Sequence, residues 1–227
     1  MSRIVVVAPH PDDEVIGCGG SLVKHARAGH AITVITISRR VRSRVEEDIT
    51  DADYRIESES AHRILGVRRH VALDLPGRSP SATEVTAKLV TEFRINPPEI
   101  LYVPHDNESD ADHRQTNTAA LEALWMAQSL YFNEQGPAIS PPQLVLGYEI
   151  WTPLSRFQYV EDIGDDAIEK KVEAMQCYRS QMRHAPWDAA IRGLASYRGV
   201  TTRGGGHAEV FAVLHMAEAG SARPADY

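Results

Sequence analysis

The sequence predicts an α/β fold, a Rossmann-like and mostly parallel β-sheet with helices on both faces. Three observations carry this. Ile4-Val5-Val6-Val7-Ala8 and Ile32-Thr33-Val34-Ile35-Thr36-Ile37 are β-branched runs of strand length, apolar enough to be buried on both faces. Residues 21–28 between them have helical spacing, with Leu22, Val23 and Ala26 on one side and Gly29 placed for a C-terminal positive φ. The same alternation then repeats to the end of the chain, the pattern of strands joined by right-handed crossovers.

In order, helices are expected over 54–65 (Ile56, Ala61, Ile64 and Leu65 inward, ending at Gly66), 84–93, 113–130 and 167–181. Strands are expected over 70–73, 100–103, 144–150 and 209–216. Three stretches interrupt the rhythm: the charge-dense 39–53, the Pro-rich 133–142, and 197–206, read as part of a polar loop rich in glycine and arginine. The first and third are placed to border a ligand, because loops at the carboxyl edge of such a sheet build its site. The length of 227 residues suits one domain spanning 1–227.

Composition removes several function classes. With 24 Lys+Arg against 31 Asp+Glu the net charge is −7, which offers no general attraction to nucleic acid or to an anionic membrane. The longest apolar runs are strand-sized, far short of a membrane span. Cys18 and Cys177 are the only cysteines, so a disulfide framework and a four-cysteine zinc site are both excluded. Met1-Ser2-Arg3 leads straight into the first strand, so no signal peptide and a cytoplasmic location are expected. Assembly into a homo-oligomer is left open.

Two clusters carry chemistry. Directly after the first strand comes Pro9-His10-Pro11-Asp12-Asp13-Glu14, one imidazole and three carboxylates. Adjacent carboxylates repel one another and gain nothing from burial, so a cation is the cheapest way to hold them near a central strand. Pro11 bends the chain, and Gly17, Gly19 and Gly20 are expected to leave open backbone for a ligand. After the strand at 100–103 come His105, Asp106, Glu108, Asp110, Asp112 and His113. Carboxyl ends of parallel strands face the same side, so the clusters can meet across the crevice and place a metal site at the carboxyl edge. Two histidines and one carboxylate with an open position form a catalytic zinc shell.

Ala8-Pro9-His10-Pro11-Asp12-Asp13-Glu14 and Asp112-His113-Arg114 resemble the PIG-L/LmbE-like family of zinc-dependent N-deacetylases. Tyr148-Glu149-Ile150-Trp151-Thr152-Pro153 and Tyr178-Arg179-Ser180-Gln181 extend the resemblance over most of the chain. The resemblance implies His10, Asp13 and His113 as ligands of Zn2+ or another divalent metal, Asp12 as general base, and Glu14 orienting the ligands from behind. It implies a substrate that is an N-acylated amino sugar or glycoconjugate. Arg55 matches an arginine used near the sugar in relatives.

Two departures stand out. Relatives carry histidine three residues before the last ligand, where it helps stabilise the oxyanion, but here the residue is Asp110, which cannot donate unless protonated. Asp110 is expected to act at the site by orienting a donor, and His105, Arg114, Arg203 and His207 are the candidates, Arg114 and His207 also being assigned to substrate binding. Leu75-Pro76-Gly77-Arg78 lacks the aspartate that follows this proline in relatives, so the hydroxyl-binding carboxylate is either missing or displaced to Asp74. Two rival readings compete with this one. A dinucleotide-binding domain is disfavoured because Gly17-Cys18-Gly19-Gly20 lacks the G-x-G-x-x-G spacing and the second strand ends in Ile37-Ser38 rather than an acid. A member that binds metal and sugar without turnover is the alternative, separable by zinc-dependent acetate release.

Overall fold

The computed structural model describes residues 1–38, 51–75 and 80–217. A seven-stranded sheet carries β1 (Arg3–Ala8), β2 (Ala31–Ser38), β3 (Arg69–Leu75), β4 (Ile100–Pro104), β5 (Leu144–Tyr148), β6 (Tyr159–Asp162) and β7 (Ala208–Met216) in the order β3-β2-β1-β4-β5-β7-β6. Strands β1 to β5 are mutually parallel, whereas β7 runs antiparallel between β5 and β6. The chain leaves β1 toward β2 on one side and β4 toward β5 on the other. The crossover direction therefore reverses between β1 and β4, which opens a crevice at their carboxyl ends.

The strand period of two sorts the core. Ile4, Val6 and Ala8 of β1 pack on one face with α1 (Asp13–Arg27), α2 (Asp51–Leu65), α5 (Gly164–Cys177) and α7 (Trp187–Arg203). Val5 and Val7 pack on the other with α3 (Ala82–Ile95) and α4 (Ala111–Ala127). A short α6 (Arg179–Met182) follows a break at Tyr178.

Several expectations are corrected. Helix α1 begins at Asp13 rather than residue 21, so the carboxylates Asp13 and Glu14 form its first turn, where negative charge is favoured. Gly17, Gly19 and Gly20 therefore lie inside a helix and not in open backbone. A Cβ on Gly17 would sit 2.0 Å from Tyr148 Cδ2, and one on Gly20 2.6 Å from Ile163 Cδ1. Glycine here lets α1 pack against distant chain, not against a ligand. Glu209 accepts from the Gly20 and Ser21 backbone N–H groups at 2.8 Å each and is neutralised by Lys171 Nζ at 2.6 Å.

Ile56 was expected inward but is exposed, because α2 uses Tyr54, Ala61 and Leu65 to face the core. Residues 197–203, read as loop, are the last turns of α7, which buries only a narrow stripe of Ile191, Ala195, Arg198 and Gly199. The helix read over 167–181 ends at Cys177, and strand β6 had no counterpart in the sequence reading. The region 133–142 contains one 3-10 turn, Asn133–Gln135. Residues 39–50 and the Pro76-Gly77-Arg78 segment lie outside the described residues.

Candidate active site

The site is assembled from the two chain segments that leave β1 and β4. Ala8 leads into Pro9-His10-Pro11, and Asp12 then serves as the N-cap of α1 with φ 103°, in the left-handed region. A non-glycine residue there costs about 1–3 kcal/mol and persists only where its surroundings impose it. Those surroundings are on hand. The Asp12 N–H donates to Glu14 Oε2 at 3.3 Å, while Glu14 Oε1 accepts from His62 Nε2 at 3.1 Å and Tyr178 Oη at 2.9 Å. Burial alone would raise the Glu14 carboxyl, but these bonds hold it below its usual value. Glu14 thus reaches the site through the Asp12 backbone and holds the strained turn in place.

His10, Asp13 and His113 converge with their ligand atoms within 4.8 Å of one another, all three buried. Asp13 Oδ2 is the centre, 2.9 Å from the His10 backbone nitrogen, 3.2 Å from His10 Nδ1 and 3.5 Å from His113 Nε2. Each imidazole is held from behind by another carboxylate. His10 Nε2 lies 3.2 Å from Asp112 Oδ2, and His113 Nδ1 lies 3.4 Å from Glu108 Oε2. If those outer nitrogens carry the protons, His10 Nδ1 and His113 Nε2 present lone pairs toward Asp13.

These residues fit a metal. His113 Nε2 is buried and has no hydrogen-bond partner, a state that costs stability unless something positive faces it. Bonds of 2.0–2.2 Å in a tetrahedral shell place ligand atoms about 3.4 Å apart, close to the 3.2 and 3.5 Å found here. The electrostatics agree. Burial lowers the His10 imidazole, yet its bonds to Asp112 and Asp13 and the charges of Asp13 and Asp12 outweigh that and raise it to about 10. The pocket therefore demands positive charge at this point.

Asp12 is buried beside this centre, and burial together with the charges of Asp13 and Glu14 pushes its carboxyl well above the ordinary range. Although it stands at a helix N-cap, its side chain makes no capping bond, so the carboxylate is not consumed by the helix. Such a group accepts a proton readily.

The remaining expected residues fall elsewhere. Asp110 is the N-cap of α4, and its Oδ1 accepts from the Asp112 N–H at 2.8 Å. That geometry gives it a structural reason to be there, as the cap that sets the start of α4. His105 is fully engaged: Nδ1 accepts from the Asn107 N–H at 3.1 Å, which leaves Nε2–H to donate to the Thr152 carbonyl at 2.7 Å. Arg114 donates to the Glu108 and Ser109 carbonyls and braces the loop that carries the site. His207 pairs with Asp165 at 3.0 Å and Arg203 with Asp162 at 2.7 Å. Each of the four candidate donors thus has at least one partner of its own. Arg55 lines a cavity of about 380 Å³ beside Pro11, together with Thr36, Ser38, His70 and Asp74. The cavity abuts the first motif, as a substrate pocket should.

Sequence reasoning listed Glu108 and Asp112 in the acidic cluster without giving either a role. Glu108 is the hub. Besides His113 it lies 3.1 Å from His105 Nε2 and accepts the backbone N–H groups of Ile150, Trp151 and Thr152 at 2.8–3.3 Å. Burial alone would raise it, but these donors hold its carboxyl far below the usual range. The only advance signal was its spacing, three residues after His105 and five before His113.

A buried His–Asp–His centre at the switch point of an α/β sheet, with a carboxylate of raised pKa at its rim, defines a protein built around a metal-type site. Comparison with known proteins gives the family. The model of PIG-L, described as GlcNAc-PI de-N-acetylase, matches residues 5–124, and the chain belongs to that family. Diacetylchitobiose deacetylase of Thermococcus kodakarensis is 27% identical over 214 residues, covering 88% of this chain and 78% of that protein. 1D-myo-inositol 2-acetamido-2-deoxy-α-D-glucopyranoside deacetylase of Mycobacterium sp. (strain JLS) is 26% identical over 233 residues, 81% of this chain and 75% of that one. Among solved structures, N,N′-diacetylchitobiose deacetylase from Pyrococcus horikoshii superposes with a TM-score of 0.82 at 25% identity, covering 94% of this chain and 84% of that one. No helix among the described residues is long and apolar enough to cross a membrane.

Proposed function

We propose that this chain is a zinc-dependent N-deacetylase, hydrolysing the acetamide of an amino-sugar-containing small molecule to acetate and a free amine. The observation that carries the reading is the convergence of His10 and His113 on Asp13, each imidazole backed by a second carboxylate, with Asp12 alongside. The deacetylase names of the relatives support the reaction and the sugar class. Residues 1–227 are taken as one domain, supported by the single sheet that both site segments and the C-terminal strand share.

His10, Asp13 and His113 would hold the ion. When bound, zinc supplies a Lewis acid that lowers the pKa of water and polarises an amide carbonyl. Asp12 takes a proton from the attacking water and returns it to the leaving nitrogen, a transfer suited to a carboxyl whose affinity for protons burial has raised. Asp112 and Glu108 fix the two imidazoles in the tautomer that keeps their inner nitrogens free of protons. Glu14 holds the Asp12 backbone in its left-handed turn. Arg55, at the mouth of the adjoining cavity, would bind sugar hydroxyls.

The test is acetate release from N,N′-diacetylchitobiose and from N-acetylglucosaminyl inositol by the purified protein, beside Asp12→Asn. The amide keeps the shape but not the basicity, so kcat should fall about 10²–10⁴-fold with zinc content unchanged. Wild-type kcat in that variant would remove Asp12 from the mechanism.

A further inference from the structure

We propose that Trp151 is the platform on which the substrate's pyranose ring stacks, and so a specificity-determining residue; the proposal rests on the amino-sugar reading above. Trp151 remains 43% exposed while its indole stands edge to face against His113, ring centroids 5.1 Å apart at 61°. A large aromatic left open to water gives up the stabilisation that burial would bring, and here it does so against a residue of the metal-type centre. The other tryptophans have different surroundings: Trp125 pairs with Tyr131, and Trp187 packs against the main core.

The backbone around Trp151 is fixed from both sides. Its own N–H and those of Ile150 and Thr152 donate to Glu108, the carboxylate that also holds His113. Thr152 accepts from His105 Nε2 through its carbonyl and from the Ser109 N–H through its hydroxyl. Further along, Leu154 is held by Glu149 and Arg198. One carboxylate therefore sets the position of both the His113 ring and the Trp151 backbone. A ligand meeting this indole pays little ordering cost for the segment that carries it.

The chemistry of the surface selects the ligand. An exposed indole offers a flat, electron-rich face with a polar rim, which suits the C–H face of a pyranose whose hydroxyls point outward. A flexible acyclic acetamide presents no such face. The site is thus built to take ring sugars over chain amides.

Two variants test this. Trp151→Leu keeps apolar bulk against His113 but removes the flat face, whereas Trp151→Phe retains a face. With N,N′-diacetylchitobiose, the leucine variant should raise KM about tenfold with kcat within about threefold, zinc content unchanged, and the phenylalanine variant should recover most of the loss. Saturation transfer from the zinc-loaded protein to the pyranose C–H protons of chitobiose, the product that is not consumed, should weaken in the leucine variant alone. Unchanged KM and unchanged transfer in Trp151→Leu overturn the platform. Loss of zinc with unchanged transfer also overturns it and makes Trp151 a cover for His113. If the wild-type protein releases no acetate, the deacetylase reading falls, and the saturation-transfer comparison still decides the platform by itself.

Discussion

Glu108→Gln isolates the contribution of one buried charge to the metal centre. Glu108 makes no hydrogen bond to Asp13 or His10, so besides its charge acting through space its effect on the ion runs through His113 Nδ1 at 3.4 Å and the loop at 150–152. Glutamine preserves volume and one carbonyl oxygen, but its amide nitrogen must face either an imidazole N–H or a backbone N–H. At least one of these donors is then left unpaired, and the negative charge that keeps the outer proton on His113 is gone. Loss of an outer partner of a ligating histidine typically lowers metal affinity about 10–100-fold, which is about 1.4–2.7 kcal/mol. The side chain is fully buried, so solvent does not screen the effect. The assay is competition for zinc against a chelating dye of known affinity, with circular dichroism confirming the fold. A folded Glu108→Gln protein that binds zinc as tightly as wild type would refute the proposed chain from Glu108 through His113 to the ion.

Asp110→Asn should be nearly silent in both kcat and stability, because asparagine caps a helix as well as aspartate does, whereas Asp110→Ala should cost about 1 kcal/mol in chemical denaturation with kcat little changed. A large drop in kcat for the asparagine variant, with its fold intact, would return Asp110 to the chemistry. Gly17→Ala drives a methyl to 2.0 Å from Tyr148 Cδ2 and 2.8 Å from the Glu149 carbonyl, and Tyr148 is tied through its hydroxyl to the Val7 carbonyl, so a loss of about 1–3 kcal/mol and a lower Tm are expected. Gly193→Ala is its control: exposed within α7 with nothing within 4 Å of the new Cβ, it should gain up to about 1 kcal/mol. Equal Tm for these two variants would contradict the packing described for α1.

The parts of the fold legible in the sequence were those fixed by local pattern. The runs at 4–8 and 32–37 had to be buried strands because an unbroken β-branched stretch has no other use in a chain of this size. The first motif was equally legible, since a cation is the cheapest way to hold three adjacent carboxylates at a strand end. What stayed hidden depended on partners remote in sequence. The glycines of α1 looked like open backbone because nothing near them reveals Tyr148, Ile163 or Lys171, which fill that space. The last turns of α7 looked like loop because its buried stripe is narrow and includes Gly199, which lies close under the Gly206 carbonyl. Within the second cluster, sequence alone gave no way to see that Glu108 and Asp112 each serve one histidine. That division follows from where α4 begins, and Asp110 sets the beginning by capping it.

The dependence of acetate release on zinc bound at His10, Asp13 and His113 is the central claim, and metal titration tests it most directly. Protein stripped with a chelator and then titrated with zinc should regain acetate release from N,N′-diacetylchitobiose in proportion to bound metal, reaching its plateau near one ion per chain. Under the same titration His113→Ala should bind zinc weakly and regain almost nothing. Acetate release that survives stripping, or a His113→Ala protein that binds zinc as wild type does, would contradict the claim.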